Sequence, residues 1–177
     1  MKINVKDLVF AAVLTALGVL LPSLFHVAGW AGSVFLPMHI PVLLCGLLCG
    51  WRYGGLCGLL VPLLCSAFTG MPPLFPVGAA MMLELCAYGV LGGLLFKRYN
   101  VYVSLIGAML GGRIISGLAN LLFMGMAGNP YGMQAFLSGA FVTALPGIII
   151  QIVIIPVLMV ALTRTGVANL AHKGTKA

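Results

Sequence analysis

Four strongly polar side chains lie within stretches of this sequence that are otherwise apolar: His39, Glu84, Arg113 and Gln151. Each lies 13 residues from a basic or polar boundary residue, respectively Arg52, Lys97, Asn100 and Arg164. At 1.5 Å per helical residue this spacing is about 20 Å, which corresponds to the outer half of a membrane core about 30 Å thick. The spacing therefore predicts one polar layer shared by four helices.

Arg113 suggests what chemistry such a layer performs. A charge at bilayer depth costs roughly 2.5–3.5 kcal/mol even on a lenient scale, so it usually marks a functional site. Ser116 and Asn120 follow Arg113 at i+3 and i+7, on the same helical face. Glu84 and Tyr88 form a similar stripe on another segment. A guanidinium offers a planar fork that suits a carboxylate or phosphate. We predict a cavity whose floor binds a polar ligand.

Other interpretations of these residues stay open at this point. Arg113 and Glu84 can neutralise each other as a buried pair that fixes helix register without any ligand. Glu84 can either orient the arginine or contact the ligand. Gln151 and Asn120 can be ordinary interhelical hydrogen-bond partners, and His39 can bond to backbone at a helix start.

Several kinds of chemistry have no signal in the sequence. Walker A, GxSxG and HExxH motifs are absent, which argues against an ATPase or a hydrolase. The five cysteines include no CxxC pair, and small apolar filling of helix interfaces explains them better than a metal or haem site. We therefore expect no cofactor and no metal.

The composition indicates a membrane protein. Of 177 residues, 62% are hydrophobic and only 6% are charged, and the mean hydropathy is +1.20. A soluble domain needs far more surface charge. We predict an all-α membrane protein, a single domain over residues 1–177, with six transmembrane helices at about 8–25, 38–51, 53–69, 75–96, 101–124 and 137–163.

The cations predict the orientation of these segments. Eight of the nine Lys and Arg residues fall before segment one, in the turns 51–54 and 97–100, or after segment six, whereas the loops 26–37, 70–76 and 125–136 contain none. By the positive-inside rule both termini are cytoplasmic. The net charge of +7 thus reflects topology rather than nucleic-acid binding. No convincing cleavage site follows the first apolar segment, so we interpret it as a span rather than a signal peptide.

The second segment is unusually short for a span. Pro37 and Pro41 flank His39 and leave about 22 Å of helix before Arg52. Irregular backbone at depth is tolerated where it lines a cavity. We therefore expect the loop 30–37 to dip inward over the polar layer, and the loop GMPPLFP (70–76) to cap it from the opposite side.

Three stretches together resemble the substrate-binding S component of an energy-coupling factor (ECF) vitamin transporter. They are the A-x-x-x-A pattern AVLTA (Ala12 to Ala16), the run LPMHIPVLLCGLLCGWRYGGLCGLLVPLL with its GWRYG turn, and TGMPPLFPVGAAMMLELCAYGVLGGLL, which is similar to the pantothenate-like subgroup. Trp51 departs from the pattern, since many members have proline there.

The resemblance implies six helices with a vitamin-sized pocket near the outer face. It also implies docking through Ala12 and Ala16 on a transmembrane coupling subunit that works with two ATPases, in the plasma membrane of a prokaryote. Combined with the arginine, it suggests capture of a small acid such as pantothenate. The site residues would be Arg113, Glu84, His39, Tyr88, Asn120 and Gln151. The alternatives are an integral-membrane enzyme that uses Glu84 and His39, and an assembly subunit of a membrane complex.

Overall fold

The computed structural model describes residues 5–27, 36–128, 132 and 138–164, and every regular element within these residues is helical. The six main helices are α1 Val5–Val27, α2 His39–Cys49, α3 Trp51–Thr69, α4 Ala79–Leu95, α5 Val101–Met126 and α6 Leu145–Arg164. π-helical turns precede α4 and α6, at Leu74–Gly78 and Ser138–Thr143, and Phe75 within the first has extended backbone (φ −129°, ψ 137°). The predicted all-α class is thereby confirmed.

Five segments are long and apolar enough to cross a membrane: Val5–Leu24, Trp51–Thr69, Leu74–Leu95, Val101–Met126 and Leu145–Leu162. Large apolar side chains such as Ile114 and Leu118 are more than 60% exposed on the outside of the bundle, as lipid-facing residues are. The chain is therefore a multi-pass membrane protein. The sixth helix, α2, has 11 residues and rises only about 16 Å.

The boundary between α2 and α3 differs from the prediction. The turn expected at residues 51–54 is the first turn of α3, and the chain reverses at Gly50 alone. Gly50 adopts φ +88°, which a residue with a Cβ rarely adopts. The apolar-to-basic change at Arg52 indicated a loop, but the chain direction changes two residues earlier because only the glycine permits that backbone.

Glycines let three helices meet at their backbones. α2, α3 and α4 contact one another through Gly46, Gly54, Gly58, Gly89 and Gly93, which we call the glycine contact. A Cβ built on any of them would lie 2.1–2.5 Å from a backbone atom of a neighbouring helix. Such small residues are how membrane helices approach closely without a hydrophobic driving force.

The remaining helices pack around this contact. α1 lies against α2 and α3, α5 lies against α4, and α6 contacts α2 and α5. The largest fully buried apolar side chains include Leu43, Leu85, Leu105 and Ile155, one each from α2, α4, α5 and α6. The core therefore brings together the four helices that carry the predicted polar layer. Residues 28–35, which contain most of the loop expected to dip inward, lie outside the described residues.

Candidate functional site

Glu84 on α4 is the centre of a buried polar cluster. Its Oε1 lies 3.0 Å from Nη1 of Arg113 on α5, and 3.6 Å from Nε2 of His39, the first residue of α2. Its Oε2 accepts a 2.7 Å hydrogen bond from Oγ of Ser116. The carboxylate thus joins three helices. The approach of Nη1 to Oε1 is an ion pair without hydrogen-bond alignment, because Oε1 accepts no hydrogen bond within the described part of the chain.

The α5 stripe extends this cluster. The amide Nδ2 of Asn120 donates to the backbone oxygen of Ser116 at 2.9 Å and to its Oγ at 3.3 Å. Ser116 in turn donates to Glu84, so Asn120 and Ser116 fix the rotamer of the carboxylate from one side. The i+3 and i+7 spacing placed both residues on the arginine's face, but it gave no sign that Ser116 donates to Glu84.

Tyr88 and His39 pack against each other next to the carboxylate. Their rings make an edge-to-face contact with centroids 5.2 Å apart, a favourable arrangement of aromatic groups. Tyr88 fits because α5 presents Gly112 to it: a Cβ there would lie 2.9 Å from the ring. Gly112 therefore makes room for the ring, a role that the sequence alone did not indicate.

Several polar atoms of the site have no partner among the residues that the structure describes. They are Nε and Nη2 of Arg113, both ring nitrogens of His39 and the amide nitrogen of Gln151. These side chains are 8%, 2% and 1% exposed, respectively. A buried donor without an acceptor costs about 1–3 kcal/mol, more when it is charged. Four of these nitrogens, those of Arg113 and His39, lie around Glu84 and could be satisfied by a ligand.

The arginine is oriented for such a ligand. Nη1 faces Glu84, while Nε and Nη2 together form the side-on edge of the guanidinium, the edge that binds a carboxylate with two parallel hydrogen bonds. Glu84 balances the charge of the arginine and holds it in place without occupying that edge. The arrangement can therefore bind one acid group.

The structure joins five of the six predicted site residues. Arg113, Glu84, His39, Tyr88 and Asn120 belong to one connected cluster. Gln151 is buried on α6, but no described contact joins it to the other five. Within the described residues no group of three potential metal ligands is close enough to hold an ion.

Unlike the residues of the buried cluster, Ala12 and Ala16 are exposed. They line an apolar groove between α1 and α3, whose other walls include Tyr53, Leu60 and Phe68. Small residues such as these alanines permit close approach of another helix. Partner docking at these alanines stays a prediction.

Comparison with known proteins gives one match. Residues 6–159 match a family model described as "ECF transporter, substrate-specific component". Searches of the curated proteins and of the solved structures found no significant match.

Proposed function

The chain belongs to the family of ECF transporter substrate-specific components, and from this premise we propose that it captures a small, water-soluble acid for import. Pantothenate is the leading candidate. Family membership makes the chain the substrate-binding subunit of a transporter rather than an enzyme. It also implies partnership with coupling and ATPase subunits and a small-molecule substrate. We propose that these subunits are one transmembrane coupling protein and two ATPases.

The observation that carries the proposal is the pair of Arg113 nitrogens, Nε and Nη2, that have no hydrogen-bond partner among the described residues. Arg113 is 8% exposed and paired through Nη1, yet Nε and Nη2 have no acceptor among the described residues. A charged donor in that state is costly. A carboxylate would satisfy both nitrogens at once, in the geometry that arginine prefers. A phosphate could accept from the same two nitrogens. Identification of the bound ligand decides between a carboxylate and a phosphate.

Replacement of Arg113 by lysine tests the role of the guanidinium. Lys keeps the positive charge next to Glu84 but loses the planar fork, so we expect ligand affinity to fall about 30-fold or more, the equivalent of about 2 kcal/mol. The measurement is isothermal titration of the purified variant with the acid that co-purifies with the wild-type protein and is identified by mass spectrometry. Arg98→Lys, at an exposed position after α4, is the matched control and should bind normally.

Two results would contradict the acid proposal. One is a co-purifying ligand without any acid group, and the other is equal affinity of the Arg113→Lys variant and the control. An acid that is not pantothenate would remove the leading candidate and leave the role of Arg113 intact.

We also propose that the groove at Ala12 and Ala16 receives the coupling subunit. Ala16→Leu would fill the groove, so we expect co-purification with the coupling subunit to fall at least about ten-fold, while ligand binding stays unchanged. Ala67→Leu, an exposed alanine of α3 outside the groove lining, is the control. Equal recovery of the partner with both variants would exclude the groove as the docking site.

We also propose that the protein lies in a prokaryotic plasma membrane with cytoplasmic termini.

A further inference from the structure

We propose that His39 binds a proton when the substrate acid binds, so that the protein captures the anion and a proton together. The inference rests on the proposed function, because it takes a carboxylate to bind to Nε and Nη2 of Arg113. It does not require that carboxylate to touch His39. The imidazole lies next to Glu84, whereas the acid would lie on a different edge of the guanidinium from the one that faces Glu84.

The buried charges of the cluster cancel before any acid binds. Arg113 and Glu84 are 8% and 5% exposed, and their charged atoms are 3.0 Å apart. Asp7, the other acidic residue of the chain, lies in the first turn of α1. With a neutral His39 the cluster has no net charge, and a bound carboxylate would give it one net negative charge. An uncompensated buried charge is costly, so uptake of a proton would restore neutrality.

His39 is the group best placed to bind that proton. Its Nε2 lies 3.6 Å from Oε1 of Glu84, an oxygen that accepts no hydrogen bond within the described residues. A protonated imidazole donates from both nitrogens and would give this oxygen a charged donor. Protonation of Glu84 would instead remove its charge from the ion pair with Arg113. The charges acid, Arg113, Glu84 and protonated His39 would then alternate in sign.

The surroundings of His39 oppose a second cation until the acid arrives. The contacts described for His39 are with Glu84 and Tyr88, and Arg113 lies beside Glu84. Arg113 and the partial positive charge at the amino end of α2 both disfavour another positive charge there. The remaining titratable residues of α2 and of the helices packed against it are Cys45 and Cys49 on α2, Lys6, Asp7 and His26 on α1, Arg52, Tyr53, Cys57 and Cys65 on α3, Cys86 on α4 and Arg164 on α6. Those with a full charge lie in the first or last turn of their helices.

The acid can act on His39 through space. The two contacts of Oε1 of Glu84, the width of the guanidinium and one hydrogen bond together place the acid oxygen within about 12 Å of Nε2 of His39. At an effective dielectric constant of about 20, opposite unit charges at this separation attract each other by a factor of about ten in the binding constant. A shorter separation makes the factor larger. Protonation of His39 should therefore strengthen acid binding at least about ten-fold.

Calorimetric titration of the full chain in detergent tests the inference. The probes are pantothenate and butanoate, whose carboxylates are largely ionised from about pH 5.5 to 8.5, and panthenol, an alcohol that lacks the carboxylate of pantothenate. Each titration is run in two buffers of different ionisation enthalpy, because the difference in heat counts the protons taken up. The variants are His39→Gln, His39→Phe and Arg113→Lys, and His172→Gln, a histidine later in the sequence than α6, is the control.

We expect the wild type and the control to bind the acids at least about five-fold more tightly at the low end of this pH range than at the high end. Proton uptake should reach about half a proton or more per acid at its maximum. Panthenol should show no pH-dependent binding. Both His39 variants should bind the acids about as tightly as the wild type does at high pH, without proton uptake and without tighter binding at low pH.

Four results would overturn the inference. They are acid binding without proton uptake, equal uptake with pantothenate and panthenol, uptake that persists in His39→Gln, and loss of acid binding at every pH in both His39 variants. The third would assign the proton to another group, and the fourth would make His39 a structural part of the site.

The proposed function fails in a different way. If neither acid binds at any pH, or if Arg113→Lys binds both as the wild type does, the acid site itself is wrong and the inference falls with it. If acid binding depends on Arg113 but no proton is taken up, only the inference fails.

Discussion

Replacement of Gly89 by alanine should strongly destabilise the fold. The new Cβ would lie 2.1 Å from the backbone oxygen of Gly54 and 2.2 Å from its carbonyl carbon. Backbone atoms in two packed helices cannot rotate away as a flexible side chain can, so α3 and α4 must separate. Overpacked cores typically lose 1–3 kcal/mol and occasionally more. For this site we expect a loss of about 3 kcal/mol or more, seen as a lower midpoint of unfolding in sodium dodecyl sulfate.

Gly92→Ala on the same helix is the matched control. A Cβ there would meet Ala108 and Leu43 at 3.8 Å, which is ordinary van der Waals contact. Its unfolding midpoint should equal or slightly exceed that of the wild type, because alanine favours helix. Equal midpoints for Gly89→Ala and Gly92→Ala would show that α3 and α4 are too far apart for Gly89 to contact the backbone of Gly54.

Replacement of Glu84 by alanine has the second large expected effect. The chain has two acidic residues, and the other one, Asp7, lies in the first turn of α1. The substitution would therefore leave Arg113, 8% exposed, without its carboxylate. Removing one partner of a buried ion pair typically costs 3–5 kcal/mol. We expect a loss of this size in the same unfolding measurement.

The double variant Glu84→Gln/Arg113→Gln separates charge from packing. Replacing both partners removes the unpaired charge, so most of the lost stability should return, although ligand binding should not. Ser116→Ala, which removes the hydrogen bond to Glu84 and the weaker one from Asn120, should cost less, about 1–3 kcal/mol. A Glu84→Ala protein as stable as the Ser116→Ala protein would mean that the arginine finds water or another acceptor.

The sequence predicted the cluster better than the boundaries of the helices. Counting from the boundary residues placed His39, Glu84 and Arg113 at one level, and these three side chains meet. The count works because the rise per residue of an α-helix varies little. The same count could not reveal the direction in which each helix turns its polar face, and Gln151 has no described contact with the others.

Other features depend on tertiary packing and leave no periodic signal. The glycine contact is one example: Gly54, Gly58, Gly89 and Gly93 were visible as small-residue pairs, but such pairs are frequent in any helical membrane protein. Their partners became apparent only from the arrangement of the three helices. The single-residue reversal at Gly50 was likewise hidden, because the basic Arg52 resembles a loop residue although it lies in α3.

The position of the amino end of α2 has an electrostatic consequence. An α-helix carries about half a positive unit charge at its amino end, and the α2 end adjoins Glu84 through His39 without a side-chain cap from Met38. Since the full charges of Arg113 and Glu84 largely cancel at a distance, this partial charge adds a net positive contribution to the potential beyond the pair. The field should therefore attract anions and oppose cationic nutrients before either makes any contact.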